Sequence, residues 1–113
     1  MPQHIYLSGY RGTGKTSVGR IIAQETKLPL VDLDEKIERD AQRSIREIFE
    51  RGGESLFRDL ESTALGKVAE GPRSVISLGG GAIIREKNRM LIRKTGRCFW
   101  LDATPSDLAA RIQ

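Results

Sequence analysis

Residues 9–16 read Gly-Tyr-Arg-Gly-Thr-Gly-Lys-Thr, which fits the phosphate-binding pattern G-x-x-x-x-G-K-[ST] at every fixed position. The residues before this stretch, His4-Ile5-Tyr6-Leu7, have the composition of a strand. The residues after it carry apolar side chains at helical spacing, namely Val18, Ile21 and Ile22. The sequence therefore predicts a glycine-rich turn between a strand and a helix, which is where a phosphate-binding loop lies.

The chemistry of this loop follows from its residue types. Gly12, Thr13 and Gly14 allow a tight turn whose backbone N–H groups point inward, and the N-terminus of the following helix adds partial positive charge. Lys15 is expected to reach the outer phosphates of a nucleotide, and the hydroxyl of Thr16 to bind the accompanying magnesium ion. The alternative is a glycine-rich turn before an amphipathic helix, with Lys15 only solvated.

Composition bounds the function. The 113 residues include 19 Lys and Arg and 15 Asp and Glu, a net charge of +4 that suits an anionic small ligand as well as nucleic acid. Aromatic residues are few and the basic residues alternate with acids, so we expect no nucleic-acid partner. One basic cluster is an exception, and we interpret it as a solvated helix face rather than a binding patch; it comprises Arg85, Lys87, Arg89, Arg93, Lys94 and Arg97.

Cys98 is the only cysteine and lies in the apolar run Cys98-Phe99-Trp100-Leu101, so we expect it in the core without a disulfide or a metal. No run approaches the length of a membrane span, and the N-terminus lacks the apolar stretch of a signal peptide. We therefore expect a cytoplasmic protein with no membrane partner.

The order of elements predicts one α/β domain with a parallel sheet over residues 1–113. Four short apolar runs alternate with helical segments, and they are Ile5–Leu7, Leu28–Leu33, Val75–Leu78 and Cys98–Leu101. Ser44 and Glu47 form a capping box for a helix that Gly52-Gly53 ends, and a second helix is expected from about Glu54 to Ala69. Another helix is expected to start at Thr104-Pro105-Ser106-Asp107, too close to Gln113 for more than two turns.

Two acids, Asp32 and Asp34, flank Leu33 at the end of the second apolar run. If the strand continues through them, its period of two sends both carboxylates to the same side, at the sheet edge where ligands of open α/β proteins bind. Asp32 is then a candidate for the magnesium shell, and Asp34 for accepting a proton from an alcohol. The alternative is a strand end followed by an acidic helix N-terminus at Asp34-Glu35.

Arg58 and Glu61 lie three residues apart on a predicted helix, so the acid can orient the guanidinium toward a substrate carboxylate. The alternative is an ordinary surface ion pair. Gly79, Gly80 and Gly81 follow a predicted strand and allow a ligand to lie against bare backbone, although a loose turn has the same composition.

Taken in chain order, these segments resemble the shikimate kinase family. The segments that carry the resemblance are Gly9–Thr16 with Val18-Gly19, Asp32-Leu33-Asp34, Gly53-Glu54, Phe57-Arg58-Asp59-Leu60-Glu61 and Ser77-Leu78-Gly79-Gly80-Gly81. The Phe-Arg-x-x-Glu and Gly-Gly-Gly signatures distinguish this family from other small P-loop kinases.

The resemblance implies a P-loop α/β/α fold of three layers with a parallel sheet in the order 2-3-1-4. It also implies transfer of the γ-phosphoryl group of ATP to the 3-hydroxyl of shikimate with Mg²⁺, in aromatic amino-acid biosynthesis. Lys15 and Asp34 would be catalytic, and Thr16 and Asp32 would serve the metal. ATP would be held by Gly12, Thr13, Gly14, Lys15, Thr16 and Ser17, and shikimate by Asp34, Arg58, Gly80, Glu61, Gly79 and Gly81.

One departure from the family concerns its C-terminal part. Members continue into a lid with an arginine, a further substrate-binding arginine and an adenine-contacting segment, and none of these has a counterpart before Gln113. We therefore expect residues 1–113 to be a monomeric P-loop kinase core without its lid and last edge strand, very weakly active alone, with shikimate and ATP as its small-molecule partners. The alternatives are a P-loop kinase for another small hydroxylated acceptor and a non-catalytic nucleotide-binding or basic nucleic-acid-binding module.

Overall fold

The structure is a computed structural model that describes residues 3–9 and 15–101, apart from the side chains of residues 15, 16 and 101. Strands and helices alternate along it as predicted. The elements are β1 (His4–Gly9), α1 (Lys15–Thr26), β2 (Leu30–Asp32), α2 (Leu33–Ala41), α3 (Ile45–Glu70), β3 (Val75–Ser77), α4 (Glu86–Thr95) and β4 (Gly96–Leu101).

The described strands form one parallel sheet in the order β2-β3-β1-β4, which confirms the predicted order. Ile5 of β1 pairs with Val75 of β3, and Leu30 of β2 pairs with the same Val75 from the other side. On the far side of β1, His4 pairs with Gly96, where a Cβ would overlap the backbone of His4. This register brings the carboxyl ends of β1, β2 and β3 to one edge of the sheet, where ligands bind in parallel α/β folds.

Side chains alternate between the two faces of the sheet along each strand, so both faces are apolar and helices cover both. Tyr6 and Ile76 face a buried cluster formed with α2, α3 and α4. Leu7 and Val75 face the opposite way and pack with residues of α1, including Val18. The predicted arrangement of three layers, α/β/α, is confirmed, although Ile21 of α1 is 60% exposed and takes no part in the core.

Helix α3 begins where the sequence predicts. The Ser44 side chain accepts the N–H of Glu47 at 3.1 Å, and the Glu47 carboxylate accepts the N–H of Ser44 at 3.4 Å, which completes the capping box. The two predicted helices form one element with a kink at Gly53, whose φ of 69° lies outside the helical region. The break predicted at Gly52-Gly53 is therefore a bend between two helical segments.

Two expectations from the sequence are wrong. The second apolar run is a strand only over Leu30–Asp32, because α2 starts immediately at Leu33. Among the described residues Cys98, on β4 at one edge of the sheet, is exposed rather than buried. The helix predicted from Thr104 lies outside the described residues. Within the described ranges, no helix combines the length and apolar character needed to cross a bilayer.

Candidate active site

The Gly79–Gly81 segment follows β3 and forms two consecutive hydrogen-bonded turns. The N–H of Ala82 donates to the carbonyl of Gly79 at 3.1 Å, and the N–H of Ile84 donates to the carbonyl of Gly81 at 3.1 Å. A Cβ built on Gly80 would lie 3.8 Å from the carbonyl oxygen of Gly9, the residue at which β1 ends. The segment is therefore an ordered turn beside the entrance of the predicted phosphate loop, and we call it the glycine turn.

Asp34 lies against one end of the glycine turn. A Cβ on Gly79 would be 2.9 Å from its Oδ1 and 3.4 Å from its Oδ2, so the carboxylate approaches a position that only glycine leaves open. Of the two interpretations of Asp32 and Asp34, the structure shows the second, a strand end followed by an acidic helix N-terminus. Asp32 is the N-cap of α2, and its Oδ1 accepts the N–H of Glu35 at 3.2 Å, so the two carboxylates do not project from one extended strand. Asp34 thus reaches the turn from the first turn of a helix.

Arg58 lies against the other end of the glycine turn, where a Cβ on Gly81 would overlap its guanidinium. Its Nη1 donates to Oε1 of Glu61 at 2.9 Å, as the spacing of three residues predicts. The Glu61 side chain is 0% exposed and that of Arg58 is 19% exposed, so this is a buried pair and not an ordinary surface ion pair. A second acid, Glu54, lies 3.5 Å from Nε of Arg58 and is 67% exposed.

Burial and mutual contact shift the pKa values of Glu61 and Arg58. Burial raises the pKa of Glu61 and the nearby Asp34 charge adds to this effect, which together outweigh the lowering by Arg58. Burial alone would lower the pKa of Arg58, but the hydrogen bond and the charge of Glu61 reverse that effect and raise it. Arg58 is therefore a permanent cation, and the carboxylate that accepts its hydrogen bond at 2.9 Å is fully buried and costly to ionise.

Two aromatic rings beside Arg58 were not among the predicted site residues. The Arg58 guanidinium carbon lies 5.1 Å from the centre of the Phe57 ring, within the range of a cation–π contact. Phe49 stacks on Phe57 with ring centres 5.1 Å apart, and it remains 40% exposed.

The predicted nucleotide-binding residues are only partly described. Gly12, Thr13 and Gly14 lie outside the described residues, as do the side chains of Lys15 and Thr16. The elements on both sides of this segment are described. β1 ends at Gly9, and α1 begins at Lys15 and carries the exposed Ser17 in its first turn.

Asp32, the predicted metal ligand, lines a pocket at the same edge of the sheet. Its neighbours in the lining include Arg20 of α1, Glu35 of α2 and Ser77 of β3, and Ser77 is also its partner in the sheet register. The structure thus brings Asp34, Arg58, Glu61 and the three glycines together, with Asp32 at the end of a neighbouring strand.

Comparison with known proteins shows the family of the chain. The family model for shikimate kinase matches residues 11–113. The chain is 52% identical over 111 residues to a shikimate kinase of Rhodopirellula baltica, which covers 98% of this chain and 59% of that protein. It is 44% identical over 108 residues to a shikimate kinase of Symbiobacterium thermophilum, with coverage of 96% and 62%.

A solved structure, the shikimate kinase from Acinetobacter baumannii in complex with shikimate, matches with a TM-score of 0.85 at 36% identity. The match covers 98% of this chain and 62% of that one, so the chain spans less than two thirds of the length of these relatives. The family model, the identity to curated relatives and the shared fold agree, and this chain belongs to the shikimate kinase family.

Proposed function

We propose that the protein transfers the γ-phosphoryl group of ATP to a ring hydroxyl of shikimate. The observation that supports this function best is the glycine turn, which has a carboxylate at Gly79, a guanidinium at Gly81 and the end of β1 beside Gly80. A cyclic alcohol that carries a carboxylate needs one cationic and one basic partner, and a nearby phosphate loop supplies the phosphoryl donor.

Arg58 is the proposed partner of the substrate carboxylate. Its planar guanidinium presents several donors, of which Nη1 is held by Glu61 at 2.9 Å. Because Glu61 is buried, it fixes the guanidinium in one orientation before substrate arrives, which lowers the entropic cost of binding. The Phe57 and Phe49 rings provide an apolar wall beside the charge, against which the carbon skeleton of the acceptor can lie.

Asp34 is the proposed base. It accepts the proton of the attacking hydroxyl, whose oxygen then bonds to the γ-phosphorus while the bond from that phosphorus to the β,γ-bridging oxygen breaks and ADP leaves. Lys15, at the start of α1, is assigned the stabilisation of negative charge on the transferring group. Gly12, Thr13, Gly14, Thr16 and Ser17 are assigned to the ATP phosphates.

The residues near Asp32 are compatible with magnesium. Mg²⁺ is usually held by one or two protein oxygens together with phosphates and water. Among the described residues no group of three or more acidic, His or Cys side chains is arranged as a metal cage, and Asp32 with the Thr16 hydroxyl is the donor set we propose. When bound, the ion would neutralise charge on the β- and γ-phosphates.

An acceptor screen on the whole protein as its gene encodes it tests this function. ADP release is coupled to a spectroscopic readout with shikimate, gluconate or a nucleoside monophosphate as acceptor. We expect turnover with shikimate and no turnover with gluconate or the nucleoside monophosphate. Turnover with gluconate or a nucleotide but not with shikimate would favour the other-acceptor kinase, and nucleotide binding without any turnover would favour the non-catalytic module.

Substitution of Arg58 tests the assignment of the acceptor end. Arg58→Ala is expected to weaken shikimate binding strongly while ATP binding stays within about twofold, since one guanidinium serves the acceptor only. Arg46→Ala is the matched control, because Arg46 lies on the same helix in an exposed pair with Glu50. Equal losses for both ligands in Arg58→Ala would contradict the assignment.

A further inference from the structure

The far end of the glycine turn is fastened to α4. Asn88 is 2% exposed and its Nδ2 donates to the carbonyl of Ala82 at 2.9 Å. Arg89 donates from Nη1 to the carbonyls of Ile83 and Ile84, each at 2.7 Å. These bonds satisfy the backbone that leads from the turn into the helix, and they fix the turn relative to its own helix only.

Arg85 connects the same segment to a different helix. Its Nη1 lies 2.9 Å from Oδ1 of Asp59 and 3.5 Å from Oγ of Ser62, both on α3. Asp59 follows Arg58 in the chain and Ser62 follows Glu61. The Arg85 bridge therefore joins the glycine turn to the part of α3 that carries the buried Arg58–Glu61 pair.

Local helix chemistry does not account for an arginine at this position. Arg85 is the N-cap of α4 and makes no side-chain cap hydrogen bond. Ser, Thr, Asp or Asn would accept an N–H of the first turn there, and a cation is disfavoured by the helix dipole. A residue that breaks a local rule is expected to serve another requirement, and here the visible one is the contact with α3.

The spacing between the turn and α3 has little slack. A Cβ at Gly81 would overlap the Arg58 guanidinium, so a small approach of the two elements displaces Arg58 and a small separation removes this contact. Arg85 also contributes positive charge near Glu61, which favours the ionised carboxylate that holds Arg58.

We propose that Arg85 is a positioning residue for the acceptor site, and that its bridge to Asp59 and Ser62 sets the distance between the glycine turn and the Arg58–Glu61 pair. This inference rests on the proposed function, because it takes the glycine turn and Arg58 as the binding site of shikimate. Arg85 acts through other residues and makes no contact with the reacting atoms.

The test uses Arg85→Ser in the whole protein, with KM for shikimate, KM for ATP and the thermal unfolding midpoint as readouts. Serine removes the bridge but supplies an N-cap, so the unfolding midpoint should be unchanged or higher. The paired side chains are 30% and 64% exposed, and coupling in such pairs corresponds to at most about a fivefold effect. We therefore expect KM for shikimate to rise about three- to fivefold, with KM for ATP unchanged.

Matched variants separate positioning from other effects. Lys87→Ser removes one exposed charge from the same helix and should leave both KM values unchanged. Asp59→Ala removes the acceptor on α3 and should reproduce the rise, and the exchange Arg85→Asp with Asp59→Arg should restore part of the loss.

The outcomes distinguish this inference from the function on which it rests. Equal changes in both KM values, a rise accompanied by a lower unfolding midpoint, or no change in Arg85→Ser would overturn the positioning role. If Arg58→Ala weakens shikimate binding while Arg85→Ser does not, only this inference fails. If neither variant affects shikimate, the proposed acceptor site fails as well.

Discussion

Replacing Glu61 by Gln removes the buried negative charge beside Arg58 while the shape of the side chain and one acceptor oxygen remain. Glu61 is 0% exposed and its Oε1 lies 2.9 Å from Nη1 of Arg58. Hydrogen bonds involving charged groups contribute about 1.5–3 kcal/mol and neutral ones about 0.5–1.5 kcal/mol. Because Arg58 stays charged, its bond to Gln remains in the charged class but should fall from the upper toward the lower end of that range. The anchoring of Arg58 should therefore weaken by about 1–1.5 kcal/mol, or about five- to twelvefold in the Kd for shikimate.

Stability should respond differently from affinity. Burial raises the pKa of Glu61, which means that holding this carboxylate ionised costs free energy in the folded protein. Glu61→Gln removes this cost, and the charge that remains on Arg58 is 19% exposed and still faces Glu54 at 3.5 Å. The large penalty for an uncompensated buried charge therefore does not apply, and we expect the free energy of unfolding to change by less than about 1 kcal/mol. An affinity loss without a matching stability loss is the signature of an orienting carboxylate.

Glu54→Gln is the matched control, because Glu54 approaches the same guanidinium at 3.5 Å from the same helix but is 67% exposed. Exposed pairs contribute about 0–1 kcal/mol, so its effect on the shikimate Kd should stay below about twofold. Calorimetric titration of each variant with shikimate and, separately, with magnesium ATP measures the Kd of both ligands. The reasoning is refuted if the two variants weaken shikimate equally, or if Glu61→Gln weakens ATP as much as shikimate.

Three further outcomes follow from the same contacts. Because the pKa of Glu61 is raised above its ordinary 4.5, the folded state gains stability from this carboxyl as pH falls through the raised value, whereas shikimate affinity falls. Titrations from about pH 7 to about pH 5 should show both trends in the unchanged protein and neither trend in Glu61→Gln. Persistence of the trends in the variant would exclude Glu61 as their source. Gly81→Ala should raise the shikimate Kd about tenfold or more, because the added Cβ displaces Arg58. Gly66→Ala is the control in α3, where an added Cβ meets nothing within 4 Å. It should leave the Kd unchanged and add about 0.5–1 kcal/mol to the free energy of unfolding. Ser44→Ala should lower the free energy of unfolding by about 1 kcal/mol through loss of the capping box, and an unchanged denaturation midpoint would contradict that role.

The features that the sequence predicted correctly depend on neighbours close in the chain. The capping box needs only Ser44 and Glu47, and the Arg58–Glu61 contact needs only helical spacing. The strand runs followed from short apolar segments between helical ones, and the parallel order β2-β3-β1-β4 came from the family resemblance. Local pattern is sufficient for the capping box, the ion pair and the strand runs because each forms between residues close in the chain.

The features that were missed depend on competition or on distant contacts. For Asp34 the sequence left a strand and a helix N-terminus open, and only the capping of α2 by Asp32 in the structure shows which one forms. Burial of Glu61, which turns a common surface pattern into a site, depends on how α3 packs. The contact of Arg85 with Asp59 spans two helices, and no spacing in the sequence indicates it.

The position of shikimate in a crystal of the whole protein decides whether the glycine turn is the acceptor site. We predict a shikimate carboxylate oxygen at about 3 Å from the Arg58 guanidinium and a ring hydroxyl at about 3 Å from the Asp34 carboxylate, with the ring over Gly80. Shikimate bound elsewhere, or bound with its carboxylate turned away from Arg58 and its hydroxyls out of reach of Asp34, would contradict it.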